Sequence, residues 1–444
     1  MILRQLTHED AEMKMRAAGD AGRFNGVPGF EEFAKKEQED TNNIQPRIGA
    51  VYDLRGNGKD IIRGGWGIYY DFGYTNATIL IPGSSAQGGS GTVFDVNNTA
   101  GIKNPDGSSF TFGQPISNIA SQNGVTNPNG PFFSTQIAAP YIRQPWTAQT
   151  SVGWSHELTP STVVDVDYVH TDGHDLGVRW ALNTRINGGA RRFADLGLSP
   201  DNPTLDMSIG KSRYNGVTFG IRRRMDHHVQ LNAWYLLSRA EGLGGLAVDE
   251  LTTNLVQDST DPYADVQWGP AARADSTHKL TMSAVIQGPW QLNISPIYRF
   301  RSALPLHTWY GYDNNLDGVS NDLFPTAFAF KGIDDAGVAS GKEIGACTNV
   351  NCSRGASRHQ LSLRVSKMVQ LGPRLNVELI GDFFNLTNAI DPAFNIGAAA
   401  VGAVYTGTLA SHTANTVFMK PNAYAGDTGQ PEQRVAQLGF RVTF

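Results

Sequence analysis

The sequence predicts an all-β chain, an antiparallel transmembrane β-barrel portion of about 11 strands with long extracellular loops. Three observations lead there. Apolar residues recur with period two, the periodic stretches come in pairs joined by short turns, and very long connections separate the pairs. A period of two sends alternate side chains to opposite faces of a strand, whereas a helix returns to the same face every ~3.6 residues.

Taken in order, the first clear pair is 45–54 and 61–72, joined by Arg55-Gly-Asn-Gly-Lys59. Val152 and Trp154 precede the turn Thr159-Pro160, after which Val164, Val166 and Tyr168 alternate with Asp165 and Asp167. Val217, Phe219 and Ile221 lead into Asp226-His-His228, and Val229, Leu231, Ala233, Tyr235 and Leu237 follow. Leu280, Met282, Ala284 and Ile286 come before Gly288-Pro289, with Trp290, Leu292, Ile294, Tyr298 and Phe300 after it. Leu361, Leu363, Val365 and Val369 come before Leu371-Gly-Pro-Arg374, with Leu375, Val377, Leu379 and Phe383 after it. The last run places Ala436, Leu438, Phe440, Val442 and Phe444 on one face and Val435, Gln437, Gly439, Arg441 and Thr443 on the other. Each run is near the ~9–11 residues that cross a bilayer at a tilt.

The connections discriminate further. Those near 74–140, 173–211, 241–275, 303–355 and 388–433 are far longer than the turns within pairs. Short turns on one rim and long loops on the other characterise outer-membrane barrels, and such loops are uncommon in compact soluble domains. Asp165, Asp167, Arg222, Arg224, Glu378 and Arg441 fall on the polar face. That face lines a wet lumen in a barrel and is the solvated exterior in a sandwich. Trp146, Trp154, Tyr168, Tyr235, Trp290, Tyr298 and Phe300 share the apolar phase, several near strand ends where aromatic girdles form.

Composition agrees. Of 444 residues only 17% are charged, while 49 are glycine and 10% aromatic, a profile of strands and turns, not of a helical bundle. The net charge of -5 gives a nucleic-acid partner no electrostatic footprint. No stretch approaches the ~20 apolar residues of a spanning helix. Residues 1–43 carry early acids and no apolar core, so they are not a signal peptide. They are expected to be the remnant of an extracellular loop, with an upstream segment before them and the barrel region at 44–444.

The hairpin Gln45-Pro-Arg-Ile-Gly-Ala-Val-Tyr-Asp53, Gly58-Lys59, Ile62-Arg-Gly-Gly-Trp-Gly-Ile-Tyr-Tyr-Asp71 resembles the mid-barrel hairpin of TonB-dependent outer-membrane receptors. The nearest likeness is the Oar-like branch, with its carboxypeptidase-regulatory-like N-terminal domain. Phe383-Phe-Asn-Leu-Thr-Asn388 and Gln437-Leu-Gly-Phe-Arg-Val-Thr-Phe444 resemble that group's last two strands. The resemblance implies a barrel of about 22 strands plugged by an N-terminal domain, of which this chain holds the last half. It also implies the outer membrane of a Gram-negative bacterium, ligand uptake energised through TonB, and contact with TonB only by way of the missing plug. Leu438, Phe440, Val442 and Phe444 look like the signal read by the barrel-assembly machinery, and lipid is the partner of the apolar face. An eleven-strand sheet cannot close in the family's antiparallel manner, so the chain is expected to need the missing barrel half.

Two further features suggest chemistry. Asp313-Asn-Asn-Leu-Asp-Gly-Val-Ser-Asn-Asp322 resembles a calcium loop, with oxygens from Asp313, Asn315 and Asp317, the Val319 carbonyl, and Asn321 or Asp322 in place of the final glutamate. The bland alternative is an Asx-rich turn. Cys347 and Cys352 either close a small disulfide loop, as export favours, or remain thiols. His227 and His228 read as solvated turn residues, and no nucleophile elbow, zinc helix or phosphate loop signals an enzyme. The competing readings are a surface adhesin or structural barrel, and a soluble secreted glycan-binding β-protein.

Overall fold

The computed structural model describes residues 43–71, 106, 108, 136–138, 143–181, 184–185, 188–191, 204–243, 264–272, 274–333, 339–390, 392–394, 402–421, 423–424 and 433–444. Eleven strands form the continuous path of one 13-stranded sheet: β1 (Arg47–Asp53), β2 (Asp60–Tyr70), β3 (Trp146–Thr159), β4 (Thr162–Ala181), β5 (Thr204–Asp226), β6 (Val229–Leu243), β7 (His278–Gln287), β8 (Leu292–Arg301), β9 (Arg358–Gln370), β10 (Asn376–Phe384) and β11 (Val435–Thr443), with the short strands Gln136–Ala138 and Trp268–Pro270 paired to β5 and β6 beside it. Each strand pairs antiparallel with its neighbour in sequence. Both termini of the path, β1 and β11, therefore run in the same direction, and among the described residues they are not paired with each other. The N-terminal segment 1–42 and most of 74–140 lie outside the described residues.

The wall is inverted relative to a soluble protein. Register places Ile62, Trp154, Val166, Phe219, Tyr235, Leu280 and Phe300 in one continuous row across β2 to β8. This row faces outward, and Phe219 is 47% exposed. On the opposite face Asp165 is only 3% exposed, and Ser366 is likewise buried. Single exposed apolar residues are ordinary, but a contiguous apolar face backed by buried carboxylates calls for a nonaqueous surrounding. The transmembrane phase read from the sequence is thus the phase of the structure, Trp290 excepted. That residue sits in the 3-10 turn Pro289–Gln291 with φ of 57°, and the strand begins after it.

One rim carries only tight turns. His227 and His228 adopt φ of 47° and 65°, the two-residue hairpin geometry that matches strand twist. In the β1–β2 turn, Gly56 and Gly58 take positive φ while the Asp53 carboxylate accepts their N–H groups at 3.0 and 2.6 Å. At the other rim the strands overshoot. β4 and β5 run for 20 and 23 residues, against the ~9–11 that span a bilayer. The connection expected at 173–211 is therefore shortened at both ends, to the stretch between Ala181 and Thr204, and β6 likewise extends to Leu243. Alternation weakens there, because arms beyond the membrane have no lipid-facing side to mark.

The long connections are folded too. Pro305–Leu306, Ser353–Arg354, Thr326–Ile333 and Ala339–Ala346 make a four-stranded sheet, and Tyr405–Thr408 pairs with Ser411–Ala414. Leu306, Val350 and Met419 are buried among them, Met419 completely at 0%. The buried apolar side chains described lie in this cap or at the adjoining strand ends such as Val178 and Leu243. Among the described residues the buried apolar core thus sits in the cap and in the strand ends beside it.

Phe219→Arg is expected to cost about 2–4 kcal/mol for insertion into lipid, as a charge on the lipid face does. Thr218→Arg, one position along and facing Asp167 across the strand pair, is expected to cost less than half as much. Refolding into bilayers followed by denaturant titration measures both.

Candidate functional site

The inner face of β2 to β5 carries an ionic ladder. Arg63 donates to the Ser155 hydroxyl at 2.6 Å and to Asp167 at 2.5 Å. Ser155 donates to Asp165 at 2.6 Å, and Arg222 grips both oxygens of Asp165 at 3.1 and 3.2 Å. Arg63 and Asp167 lie two strands apart with Gly153 directly between them. A Cβ at Gly153 would stand 2.1 Å from the Asp167 carboxylate and 2.7 Å from the Arg63 guanidinium, so glycine is what lets the pair cross β3. Arg63, Gly153 and Asp167 border a concavity of about 350 Å³. Farther along, Arg364 binds Asp382 bidentately at 2.6 and 2.9 Å, and Arg441 approaches Glu378 at 3.4 Å. Arg222 and Arg223 separate as alternation requires. Arg222 turns inward, whereas Arg223 donates to the Asp226 carbonyl at the turn.

At the opposite rim four connections are spliced into the cap. The Trp309 N–H donates to Gly402 O, and the Val404 and Tyr405 N–H groups donate to Trp309 O and Tyr310 O, at 2.9–3.1 Å. A side chain at Gly311, whose φ is 91°, would collide with the Tyr405 carbonyl. The Val350 N–H donates to Val266 O, Asn349 to Asp265 O and Trp268 O, and Arg354 pairs with Asp275 at 3.0 Å. The Arg185 and Gly188 N–H groups donate to Asp317 O and Leu316 O at 2.5 and 3.1 Å. Tyr310, Tyr312, Phe324, Phe328, Tyr405 and His412 form a ring cluster between these connections.

The residues singled out from the sequence fall in three places. Asp313, Asn315, Asp317, Val319, Asn321 and Asp322 share one turn of the cap, where Asp313 accepts the Asp317 and Gly318 N–H groups at 3.0 and 2.8 Å. Cys347 and Cys352 are bonded to each other in the same body, with Cα atoms 5.5 Å apart. Leu438, Phe440, Val442 and Phe444 lie on β11 or just beyond it, all exposed. His227 is exposed at the hairpin tip, its ring 2.7 Å from Asp226. The splice at Trp309 and the ring cluster were not anticipated; dense aromatics with Gly311 and Gly402 were their only trace in the sequence.

His307 is buried in the cap, stacked on Trp309 at 5.5 Å, with neither ring nitrogen hydrogen-bonded. Burial lowers its pKa from 6.5 to about 4. The fold thus prefers the neutral ring: its contribution is intact above pH 6.5 and lost as pH falls toward about 4. His307→Leu is expected to remove that acid sensitivity, read as the cap's melting temperature between pH 7 and 5. Gly153→Val is expected to part Arg63 from Asp167 and cost about 2–3 kcal/mol by overpacking, measured from denaturant midpoints in detergent.

A family model described as the outer membrane beta barrel domain matches residues 15–417. No curated protein matches the chain. Among solved structures, the outer membrane transporter YddB from Escherichia coli aligns at 13% identity over 78% of this chain and 37% of its own, with a TM-score of 0.42. The siderophore receptor PiuA from Acinetobacter baumannii aligns at 11% identity, covering 90% of this chain and 35% of its own, with a TM-score of 0.40. The pyoverdine outer membrane receptor FpvA from Pseudomonas aeruginosa PAO1 aligns at 9% identity over 90% and 36%, with a TM-score of 0.41. The chain thus spans little more than a third of the length of each of these structures. With the family model covering most of the sequence, the chain belongs to the outer membrane beta barrel domain family.

Proposed function

We propose that this chain supplies wall and extracellular cap to a TonB-dependent receptor that takes up a scarce ligand across the outer membrane of a Gram-negative bacterium. The observation that carries this reading is the inverted wall bearing a folded cap on one rim only. An apolar exterior and an ionic interior suit a wet passage through lipid. A cap built from four connections, with a ring cluster and polar groups, offers a surface on which a ligand can be held before passage. The motifs at 45–71 and 383–388 and the last strand support the Oar-like branch. They fall on the hairpin β1–β2 and on the paired strands β10 and β11, the two ends of the sheet.

Uptake through TonB requires a plug and further strands joined to this wall. Support comes from β1 and β11, which run parallel to each other, leave their outer edges unpaired among the described residues, and are exposed along most of their length. An unpaired edge in hydrocarbon costs several kcal/mol per group, so such strands require neighbours. The barrel-assembly machinery is the expected reader of Leu438, Phe440, Val442 and Phe444.

The test is made in the native bacterium. The protein should fractionate with the outer membrane, and cells lacking it should lose uptake of one nutrient class. Removing TonB, or collapsing the proton-motive force, should abolish that uptake while leaving surface binding in place. Uptake that persists without TonB would overturn the transport reading, and recovery in a soluble fraction would overturn the membrane reading as well.

A further inference from the structure

The turn Asp313–Asp322 belongs to neither the strand wall nor the ring cluster, and its chemistry is all oxygen. Asp313 accepts two backbone N–H groups. Asn315 Oδ1 accepts the Asp317 N–H at 2.9 Å, and Asp317 Oδ1 accepts the Val319 N–H at 2.7 Å. These bonds curl the chain around oxygens at every second position, with Gly318 at φ of 89° making the sharp bend. A polar turn alone could do as much.

Asp322 goes beyond what a turn needs. It is 2% exposed, and its Oδ2 accepts the Asn314 N–H at 2.6 Å and the Asn315 N–H at 3.3 Å, which folds the carboxylate back over the turn. Its Oδ1 is buried without a hydrogen-bond partner. A buried carboxylate oxygen left bare is costly unless a cation or proton meets it. Asp317 and Asp313 lie close enough to repel it. The turn thus concentrates carboxylates around one buried oxygen left unanswered.

We propose that this turn is a Ca²⁺ site, with Asp313, Asn315, Asp317, Asp322 and the Val319 carbonyl as its oxygen donors. Asp322 takes the closing position that Phe324 cannot fill. The three carboxylates of the turn do not by themselves gather into a ready-made cage. Amide and carbonyl oxygens must therefore complete the shell, which calcium accepts and zinc does not. The ion does more than occupy a turn. Leu316 and Asp317 hold the Arg185 and Gly188 N–H groups through their own carbonyls, so ordering this turn also pins the connection that follows β4. Calcium would clamp two of the cap's four connections together.

Terbium tests this directly, because Tyr312 lies within electrostatic reach of Asp322 and can sensitise a lanthanide bound there. With the intact protein in outer membranes or detergent, Tb³⁺ excited through tyrosine should give saturable emission that sub-millimolar to millimolar Ca²⁺ displaces. Asp317→Asn and Asp322→Asn should each weaken binding at least tenfold. Asn315→Asp, which adds a charge without removing a contact, should tighten it severalfold. Amide exchange across 184–191 should slow when Ca²⁺ is added. Absence of saturable emission from protein that keeps its native heat-modifiable mobility would overturn the site, as would emission indifferent to all three substitutions. Unchanged exchange at 184–191 despite binding would overturn the clamp.

Discussion

Every peptide group on the wall must find its partner on an adjacent strand, because hydrocarbon offers none. That constraint makes the meander compulsory: each strand pairs with the next, and no helix competes. It also decides what side chains are free to do. Where strand-to-strand pairing satisfies the backbone, the outer face needs only to be apolar, and the inner face is left to charge. The row from Ile62 to Phe300 and the ladder from Arg63 to Arg222 are two faces of one hydrogen-bonded fabric.

The ladder shows how little space charge needs when the sheet provides it. Arg63 reaches Asp167 across an intervening strand because Gly153 has no side chain, and Ser155 relays to Asp165 beside it. Such pairs tie neighbouring strands together across the inner face. The cap uses a different device. Its stability rests on buried apolar contacts such as Met419 and Leu306, the ordinary means of a water-soluble domain.

The wall was legible in the sequence because its rule is local. Period two, short turns and long gaps located all eleven strands, and alternation set the facing of Asp165, Arg222 and Glu378 correctly. Trp290 misled because a left-handed turn interrupts the phase just before Leu292. The arms of β4 and β5 were hidden because alternation no longer reports on lipid beyond the membrane. The cap was hidden for another reason: its contacts join residues far apart in sequence, as when Trp309 pairs with Gly402 and Val404. At Asp313–Asp322 the spacing of oxygens could be read directly, but the folding back of Asp322 could not, since it depends on three-dimensional packing.

The splicing of four connections into one cap bears on how such a protein diversifies. Independent loops can be exchanged one at a time, each variant leaving its neighbours undisturbed. Here a replaced segment would strip Trp309, Val350 or the Leu316 carbonyl of a counterpart on another segment. A new surface specificity must therefore be inherited as a matched set, and recombination would favour breakpoints in the wall, where the alternating rule is forgiving, over breakpoints among the connections.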